Sequence, residues 1–319
     1  MKVVVTGGAG FLGQRLIREV LQRGELTDSR GERRRVDQVV AVDQVGAPAQ
    51  DRVRSLVGDV GDVAFVREAV LGADSVFHFA AVVSGAAEAD FDLGLRVNLD
   101  GTRALLEALR GEGRRPKVVF SSSVAVFGGA LPMVVDDKTT PTPQSSYGVQ
   151  KLIGELLVGD YSRRGYVDGR AVRLPTIVVR PGKPNAAASS FASGIIREPL
   201  AGVAAVCPVD PDTEMWVQSP AAVITNLLHA HEFPAERWGP RSLSLPGITV
   251  SVRAMLEALA AVGGATARAR VRMQPDPHIG AIVRTWPARF DTARADAMGF
   301  VRDGDFESVV RGYAKEYVL

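Results

Sequence analysis

The sequence is poor in the residues that form disulfides and bind metals. One cysteine, Cys207, and four histidines occur in 319 residues. A lone thiol cannot close an internal disulfide and has no second thiol with which to bind zinc, so neither a disulfide framework nor a zinc site is expected. The scarcity of cysteine is typical of a reducing compartment, and we expect a cytoplasmic protein without a bound metal.

An excess of charge of one sign is also missing. The 38 basic and 36 acidic side chains give a formal net charge of +2. Nothing in this balance predicts electrostatic capture of nucleic acid or of an anionic membrane. We therefore expect small molecules as partners.

Long apolar runs are absent as well. The apolar run at the N-terminus ends at Gly7 and Gly8, too early for the core of a signal peptide, and no stretch resembles a membrane span. With 46% hydrophobic and 23% charged residues, the composition is that of a globular enzyme with a sizeable core.

Strand-like and helix-like segments alternate in the first half of the chain. Apolar residues recur at helical spacing over residues 13–22 and 98–110. Short β-branched runs predict buried strands at residues 2–5, 39–42, 75–79 and 117–120. This alternation predicts an α/β fold built on a doubly wound, Rossmann-type parallel sheet.

A glycine-rich turn follows the first predicted strand directly. Gly7, Gly10 and Gly13 form a TGxxGxxG pattern where the first helix begins. The first glycine permits a tight turn, the second lets a pyrophosphate approach backbone N–H groups, and the third lets helix and strand pack closely. The pattern predicts a dinucleotide site that includes Phe11 and Leu12; a turn that merely joins strand to helix is the alternative.

An acidic residue, Asp43, ends the second predicted strand. Its carboxylate can accept hydrogen bonds from both hydroxyls of an adenosine ribose and repels a 2′-phosphate, which predicts NAD rather than NADP. The spacing from Gly13 exceeds the usual value of about 20 residues, and a polar stretch at residues 24–35 accounts for the excess. We interpret that stretch as an enlarged connection with solvent-facing arginines; a plain surface aspartate is the alternative reading of Asp43.

Weaker cofactor signals follow the next two strands. Asp59 and Val60 suit the edge and the apolar face of an adenine, and Ala80 and Ala81 stand where bulky side chains would block a cofactor. Asp59 by itself is as often a turn residue. His78 lies within an apolar strand, and we interpret it as a packed histidine rather than a catalyst or ligand.

The segment YGVQK contains the two residues that we predict to be catalytic. Tyr147 and Lys151 stand four residues apart and therefore share one face of a helix. Tyrosine ordinarily ionises near pH 10. A nearby ammonium and a positive nicotinamide ring favour the phenolate, so Tyr147 is predicted to act as a general base, with Lys151 also holding the nicotinamide ribose.

Three serines end the strand that precedes this helix. Ligands of open α/β sheets bind beyond the carboxyl ends of the strands, so a hydroxyl there can reach the substrate. We predict that Ser123 bonds the substrate oxygen beside Tyr147, with Ser122 as the fallback and as a cofactor contact. A serine cluster at a strand end is otherwise often only a helix cap.

The regular alternation of strand-like and helix-like segments ends after Arg173, where glycine and proline interrupt it. We predict an NAD-binding domain over residues 1–174, to which a later segment near residues 215–245 returns. Residues 175–319 are predicted to form mainly a smaller α+β lobe that binds the substrate.

Taken together, these residues resemble the extended short-chain dehydrogenase/reductase superfamily, also called the NAD-dependent epimerase/dehydratase family, over almost the whole chain. In that family the glycine turn, the strand-end acid, the serine and YxxxK form the active site. Phe127 replaces the tyrosine of the family's VYG stretch, a change outside the catalytic set. The resemblance implies a homodimer built from the helices that carry Asn98 and Tyr147, and Asn98 is a further candidate NAD contact.

Two segments, residues 82–102 and 174–202, resemble the sugar-acid dehydrogenases of this family. The resemblance implies oxidation of the C2 hydroxyl of a four-carbon acid, D-erythronate, to 2-oxo-tetronate, with hydride transfer to NAD.

A small anionic acid needs a cationic partner. Arg173 and Arg180 flank a strand-like segment, and either can form a bidentate pair with a carboxylate. Either can equally be a structural salt-bridge residue. Thr176 is a candidate contact to nicotinamide. The candidate partners for substrate hydroxyls are Ser84, Ser123, Tyr147, Asn185, Ser189 and Ser190.

Other functions stay open at this point. A nucleotide-sugar epimerase uses the same serine, tyrosine, lysine and NAD but must anchor a diphosphate. A dehydratase needs an acid and a base beside the catalytic hydroxyl, whereas Val124 and Ala125 follow Ser123. A non-enzymatic NAD sensor has no need of Tyr147 and Lys151, whose presence favours an enzyme.

Overall fold

The computed structural model describes residues 1–182, 188–239 and 242–318. The chain folds into two compact units. The first unit comprises Met1–Ser123, Ser145–Arg173 and Ile224–Leu243, and the second comprises Val124–Gln144, Leu174–Val223 and Ser244–Leu319. Because this division identifies no ligand, the assignment of NAD and substrate to separate stretches of the chain stays a prediction.

The strands alternate with helices along the first half of the chain. The strands are β1 (Lys2–Thr6), β2 (Glu25–Thr27), β3 (Arg33–Arg35), β4 (Gln38–Asp43), β5 (Val53–Val57), β6 (Ser75–His78), β7 (Lys117–Ser123), β8 (Asp168–Leu174), β9 (Thr176–Ile177), β10 (Ala205–Cys207), β11 (Glu214–Gln218), β12 (Leu243–Ser244), β13 (Ile248–Ser251) and β14 (Val271–Met273).

The helices begin and end as follows. They are α1 (Phe11–Arg23), α2 (Val63–Val70), α3 (Ser84–Ala89), α4 (Phe91–Gly94), α5 (Gly101–Glu112), α6 (Ser146–Arg163), α7 (Ser190–Leu200), α8 (Pro220–Glu232), α9 (Ala235–Trp238), α10 (Val252–Ala269), α11 (Pro277–Val283), α12 (Ala293–Ala297) and α13 (Phe306–Tyr317). A π-helical turn spans Leu95–Asp100, and a 3₁₀ turn spans Val124–Val126.

Within the described residues, a seven-stranded sheet of order β12-β8-β7-β6-β1-β4-β5 forms the centre of the first unit. The pairings that join β5, β4, β1, β6 and β7 are parallel. Val3, Val4 and Val5 of β1 are fully buried between neighbouring strands, which explains why this strand is a continuous apolar run rather than an alternating one. The predicted α/β fold with a doubly wound parallel sheet is confirmed.

The polar stretch at residues 24–35 is more ordered than a simple connection. It forms the antiparallel hairpin β2–β3, with Leu26 opposite Arg34. Leu26 is buried and anchors the hairpin. Arg34 lies within ion-pair distance of Asp28 and Asp74, so its charge is paired with the protein rather than only solvated.

The second unit has its own sheets and its own core. A three-stranded sheet of order β13-β11-β9 and a two-stranded sheet of β10 and β14 lie within the described residues. Buried residues such as Ile195, Val217, Met255 and Val310 form the core with α7, α10 and α13. The mixture of short sheets and helices agrees with the predicted α+β character of this part of the chain. In the part of the chain that the structure describes, no helix has the length and apolarity needed to cross a membrane.

Candidate functional site

The glycine turn lies between β1 and α1. Gly7 has a φ of +72°, and a Cβ at this position would lie 3.0 Å from the Ala80 amide nitrogen. A Cβ on Gly13 would overlap the Gly7 carbonyl oxygen. Gly10 is the N-cap of α1 and provides no side-chain cap, so the first amides of the helix are suited to an anionic ligand. The turn therefore packs too closely for side chains at Gly7 and Gly13. The uncapped start of α1 forms a backbone cradle that fits a pyrophosphate.

Asp43 ends β4 beside this turn. Its Oδ2 accepts a 3.0 Å hydrogen bond from the Ala9 amide, and its Oδ1 accepts one of 2.8 Å from the Gln44 amide. The carboxylate thus lies next to the pyrophosphate cradle in spite of the long spacing from Gly13, because the hairpin β2–β3 takes up the extra residues. This placement fits a ribose-binding acid.

Asp59 and Val60 follow β5. Asp59 forms an ion pair with Arg96 and accepts a 2.8 Å hydrogen bond from the Gly61 amide. Partial burial would raise the pKa of Asp59, but these contacts outweigh it and the pKa lies below its usual value. Val60 is buried and packs close to Gly101. Arg96 was not singled out in the sequence, where nothing links it to Asp59.

Asn98 lies in the π-helical turn and holds the loop after β6. Its Oδ1 accepts from the Val82 amide at 2.8 Å, and its Nδ2 donates to the Val82 carbonyl at 3.1 Å. Nδ2 also donates to Gln150 Oε1 at 2.7 Å. Ala80 and Ala81 precede Val82 in this loop, so Asn98 fixes the segment in which both predicted cofactor contacts lie.

His78 is packed into the core at the end of β6. Its ring nitrogens lie 2.6 Å from Thr6 Oγ1 and 3.0 Å from Thr102 Oγ1. Burial, with a smaller contribution from the nearby Lys151 charge, lowers the pKa of His78 to about 3. The interpretation of His78 as a packed histidine is confirmed by these contacts.

Tyr147 and Lys151 lie on α6, which begins where Ser145 Oγ accepts a hydrogen bond from the Gly148 amide. Lys151 Nζ donates to the Ser121 carbonyl at 2.8 Å and lies 5.6 Å from the centroid of the Tyr147 ring. Complete burial lowers the pKa of Lys151 from 10.5 to about 7, and the negative charge of Glu155 opposes this shift. The ammonium is thus held beside the phenol by the end of β7.

The three serines that end β7 have different surroundings. Ser121 Oγ donates to the His78 carbonyl at 3.0 Å, and Ser122 Oγ donates to Glu155 Oε1 at 2.5 Å. Both residues are buried, whereas Ser123 is half-buried at the last position of the strand. Ser122 is thus engaged with Glu155, and Ser123 is the most exposed of the three serines.

Arg173 forms a buried ion pair with Glu155. Its Nε lies 2.9 Å from Oε1 and its terminal nitrogen 2.8 Å from Oε2. This is the structural alternative that the sequence left open for Arg173. Glu155 was not singled out in the sequence, although it stands four residues after Lys151 and therefore on the same face of α6.

The remaining predicted substrate residues, and the predicted nicotinamide contact Thr176, lie in several parts of the chain. Ser84 begins α3 in the first unit. In the second unit, Thr176 pairs with Val217 on β11. Arg180 donates from its guanidinium to Ser189 Oγ at 3.4 Å and from its backbone amide to Ser193 Oγ at 3.0 Å, at the start of α7. Ser190 is the first residue of α7. Asn185 lies outside the described residues.

Within residues 1–182, 188–239 and 242–318, no group of three histidine, cysteine, aspartate or glutamate side chains has the geometry of a metal site.

Comparison with known proteins supports the same class of enzyme. Residues 3–214 match the model of the NAD dependent epimerase/dehydratase family. A D-erythronate dehydrogenase of Cupriavidus necator is 54% identical over 320 aligned residues, which cover 99% of this chain and 98% of that protein. A D-erythronate dehydrogenase of Haemophilus influenzae is 43% identical, with 98% of both chains covered.

A solved structure is similar over the whole fold. The structure described as a nucleoside-diphosphate-sugar epimerase from Agrobacterium tumefaciens is 40% identical, has a TM-score of 0.93, and is covered to 94% by the whole of this chain. These findings confirm the predicted fold, the use of NAD and the predicted class, an NAD-dependent dehydrogenase. The chain belongs to the NAD dependent epimerase/dehydratase family, as its glycine turn and YxxxK helix predict.

Proposed function

We propose that the protein oxidises the C2 hydroxyl of D-erythronate to 2-oxo-tetronate, with NAD as the hydride acceptor. The observation that carries the proposal is the joint placement of Tyr147, Lys151 and Ser123 where β7 ends and α6 begins. Two relatives named D-erythronate dehydrogenase, alike over nearly their full lengths, support the choice of substrate.

NAD supplies the acceptor for the hydride, and the residues proposed to hold it belong to the first unit, except for Thr176 of the second unit. Gly7, Gly10, Phe11, Leu12 and Gly13 form the pyrophosphate cradle. In addition, we assign ribose, adenine and nicotinamide contacts to Asp43, Asp59, Val60, Ala80, Ala81, Asn98, Ser122, Tyr147, Lys151 and Thr176. Asn98 acts through the Val82 loop and Ser122 through Glu155, because their side chains are bonded there.

In the proposed mechanism Tyr147 accepts the proton of the C2 hydroxyl while the hydride leaves the same carbon. The Lys151 ammonium stabilises the phenolate, and Ser123 hydrogen-bonds the substrate oxygen as its carbon becomes a carbonyl. The Ser121 carbonyl keeps Lys151 beside Tyr147. The proton of the hydroxyl passes to Tyr147, and bound NAD would accept the hydride, which together account for the two-electron oxidation.

We assign the substrate carboxylate to Arg180 rather than to Arg173. Arg173 is bonded to the Glu155 carboxylate at short distances, whereas Arg180 lies with serine hydroxyls at the start of α7. A guanidinium with neighbouring hydroxyls suits a small hydroxylated acid. Ser84, Asn185, Ser189 and Ser190 are the proposed partners of the substrate hydroxyls.

We further propose a homodimer that uses α6 and the helix after Asn98. Leu156 is 67% exposed and Val149 is 43% exposed on α6, which places apolar side chains on its outer face. Exposed apolar residues on a helix favour burial against a second chain. The cytoplasmic location stays a prediction.

The alternative function is a nucleotide-sugar epimerase with the same serine, tyrosine and lysine. One observation favours it, namely the similarity to the Agrobacterium tumefaciens structure that is described as a nucleoside-diphosphate-sugar epimerase. The higher identity to the dehydrogenase of Cupriavidus necator favours the sugar acid.

The test is absorbance of NADH with purified protein, NAD and four substrates: D-erythronate, L-threonate, D-threonate and UDP-galactose. We expect NADH with D-erythronate and its loss in Tyr147→Phe. If UDP-galactose is converted without net NADH and no acid gives NADH, the protein is an epimerase.

A further inference from the structure

Glu155 is a buried carboxylate two helical turns beyond Tyr147 and one turn beyond Lys151. It is 4% exposed. Tyr147, Lys151 and Glu155 follow one another at intervals of four residues and so lie along one face of α6. A carboxylate in such a place needs a partner of opposite charge, because burial of an unpaired ion is strongly unfavourable.

Arg173 on β8 is that partner. Its Nε lies 2.9 Å from Oε1 and 3.2 Å from Oε2, and its terminal nitrogen lies 2.8 Å from Oε2. The two planar groups therefore meet edge to edge, an arrangement that fixes the orientation of the carboxylate. Glu155 is held in one place by a neighbouring strand and not only by its own helix.

The same carboxylate reaches the end of β7. Ser122 Oγ donates to Glu155 Oε1 at 2.5 Å, while the carbonyl of Ser121 accepts from Lys151 Nζ at 2.8 Å. Two consecutive residues of the strand are thus joined to two consecutive turns of α6. Ser123 is the next residue, so its position relative to Tyr147 depends on these two bonds.

The groups around Lys151 give Glu155 a second role. Tyr147 and Glu155 face the ammonium from α6, the Phe120 ring and the Ser121 carbonyl face it from β7, and His78 faces it from β6. Arg173 faces Glu155 from β8. His78 is neutral at ordinary pH, since its pKa is about 3. Among these groups Glu155 supplies the negative charge that favours the ammonium.

We propose that Glu155 is a positioning residue of the active site, which keeps Lys151 charged and fixes the end of β7 at which Ser123 lies. Arg173 keeps Glu155 in place. The inference rests on the proposed roles of Tyr147, Lys151 and Ser123. Without the anion, the proton that Lys151 should carry passes more readily to solvent or to the Tyr147 phenolate, and the general base is lost.

The direct test is titration of Lys151 itself. The chain has six lysines, so protein labelled with ¹³C at lysine Cε gives few resonances, and the one missing from Lys151→Arg belongs to Lys151. We expect Glu155→Gln to move the Lys151 titration to lower pH by roughly one unit or more. Glu155→Asp retains the charge, and we expect it to restore most of the wild-type value.

A second readout is the pH dependence of D-erythronate oxidation. In Glu155→Gln we expect at least a tenfold loss of kcat at pH 8, and an alkaline-side inflection of kcat/KM shifted to lower pH, because Lys151 loses its proton earlier. The matched control is Asp168→Asn, which removes the charge of another buried acid–arginine pair of the first unit, Asp168–Arg170. This variant should keep the wild-type inflection and the wild-type Lys151 titration.

An unmoved Lys151 titration in folded Glu155→Gln would overturn the inference, as would an equal loss of kcat at every pH. If Glu155→Gln does not fold, Glu155→Gln combined with Arg173→Gln removes both charges. We expect this double variant to shift the Lys151 titration in the same direction by a smaller amount, because the loss of the guanidinium partly offsets the loss of the carboxylate. Failure of both to fold would assign the ion pair to folding alone and also overturn the inference. If the wild type oxidises no sugar acid, the proposed function fails, while the Lys151 titration still decides the role of Glu155.

Discussion

One buried lysine lies near each end of β7, and the two have different surroundings. Lys117, at the amino end, donates to the His231 carbonyl at 2.8 Å. Burial lowers the pKa of Lys117, and Arg170 adds to that shift, but Glu232, Asp168 and Asp28 all oppose it. Lys151, near the carboxyl end, has a pKa of about 7, and among the described residues Glu155 is the charge that opposes the effect of burial.

The surroundings of the two lysines indicate a structural role for Lys117 and a functional role for Lys151. At the amino end, His231 bonds Ser75 and Glu232 at 2.8 Å each, and Glu232 in turn bonds Thr27 of the hairpin. These groups bind one another and join α8 and the hairpin to the sheet. At the carboxyl end, the lysine titrates near neutral pH beside a tyrosine, which is the kind of perturbation that marks functional sites.

The largest expected effect is on activity at the carboxyl end. Tyr147→Phe removes the proposed base, and we expect kcat for sugar-acid oxidation to fall by about 10²–10⁴-fold with the melting temperature nearly unchanged. Tyr161→Phe is the control, because Tyr161 lies on the same helix and bonds Glu107. Substantial NADH formation by Tyr147→Phe would remove Tyr147 from the mechanism.

At the amino end of β7 we expect a loss of stability with little change in activity. Asp168→Ala leaves the Arg170 guanidinium, which is 1% exposed, without its carboxylate. Removal of one partner of a buried ion pair typically destabilises a protein by about 3–5 kcal/mol. Chemical denaturation should show this loss of stability. The kcat per folded molecule, measured well below the melting temperature of the variant, should stay near the wild-type value. A loss of kcat without a loss of stability would contradict a purely structural role for the Asp168–Arg170 pair.

The pH dependence of stability should differ between wild type and Lys151→Met. The pKa of Lys151 is about 7 in the folded protein and 10.5 in its ordinary state, so the unfolded chain binds more protons between these values. The contribution of Lys151 to the free energy of unfolding is therefore complete above pH 10.5 and is lost as pH falls toward 7. The wild-type value minus the Lys151→Met value should rise by about 1.4 kcal/mol per pH unit across this range.

Urea unfolding at several pH values measures this difference. Lys117→Met is the comparison at the other end of β7, where three acids oppose the lowering of the pKa. A smaller total rise, over a narrower pH range, is expected there. If the free energies of unfolding of wild type and Lys151→Met depend on pH in the same way, the pKa of Lys151 is not lowered in the folded protein.

The sequence predicts the parts of this site whose geometry is local. The turn at Gly7 to Gly13 and the Tyr147–Lys151 pair depend on spacing within one turn or one helix, and both are found where spacing places them. The strand-end position of Asp43 follows from the preceding apolar run. Such features need no knowledge of distant contacts.

Contacts between distant residues could not be predicted in the same way. Glu155 bonds residues that stand 33 and 18 positions away, and Asp59 pairs with Arg96 at a separation of 37. Which of several arginines lies near a given acid is decided by the packing of strands and helices. For this reason the sequence left Arg173 with two possible roles, and the structure shows its pairing with Glu155.

The smallest expected effect concerns the choice of cofactor at Asp43. Its carboxylate accepts a hydrogen bond from the Ala9 amide, so it serves the glycine turn as well as the proposed ribose. Asp43→Asn keeps an acceptor for Ala9 but removes the negative charge and one ribose acceptor. Since a hydrogen bond to a charged group contributes about 1.5–3 kcal/mol, we expect NAD to bind roughly 10- to 100-fold more weakly, with detectable use of NADP. Asp43→Ala removes the contact to Ala9 too, and should weaken NAD binding further. Isothermal titration with each cofactor distinguishes these outcomes: unchanged NAD affinity in both variants would reduce Asp43 to a residue that only supports the turn.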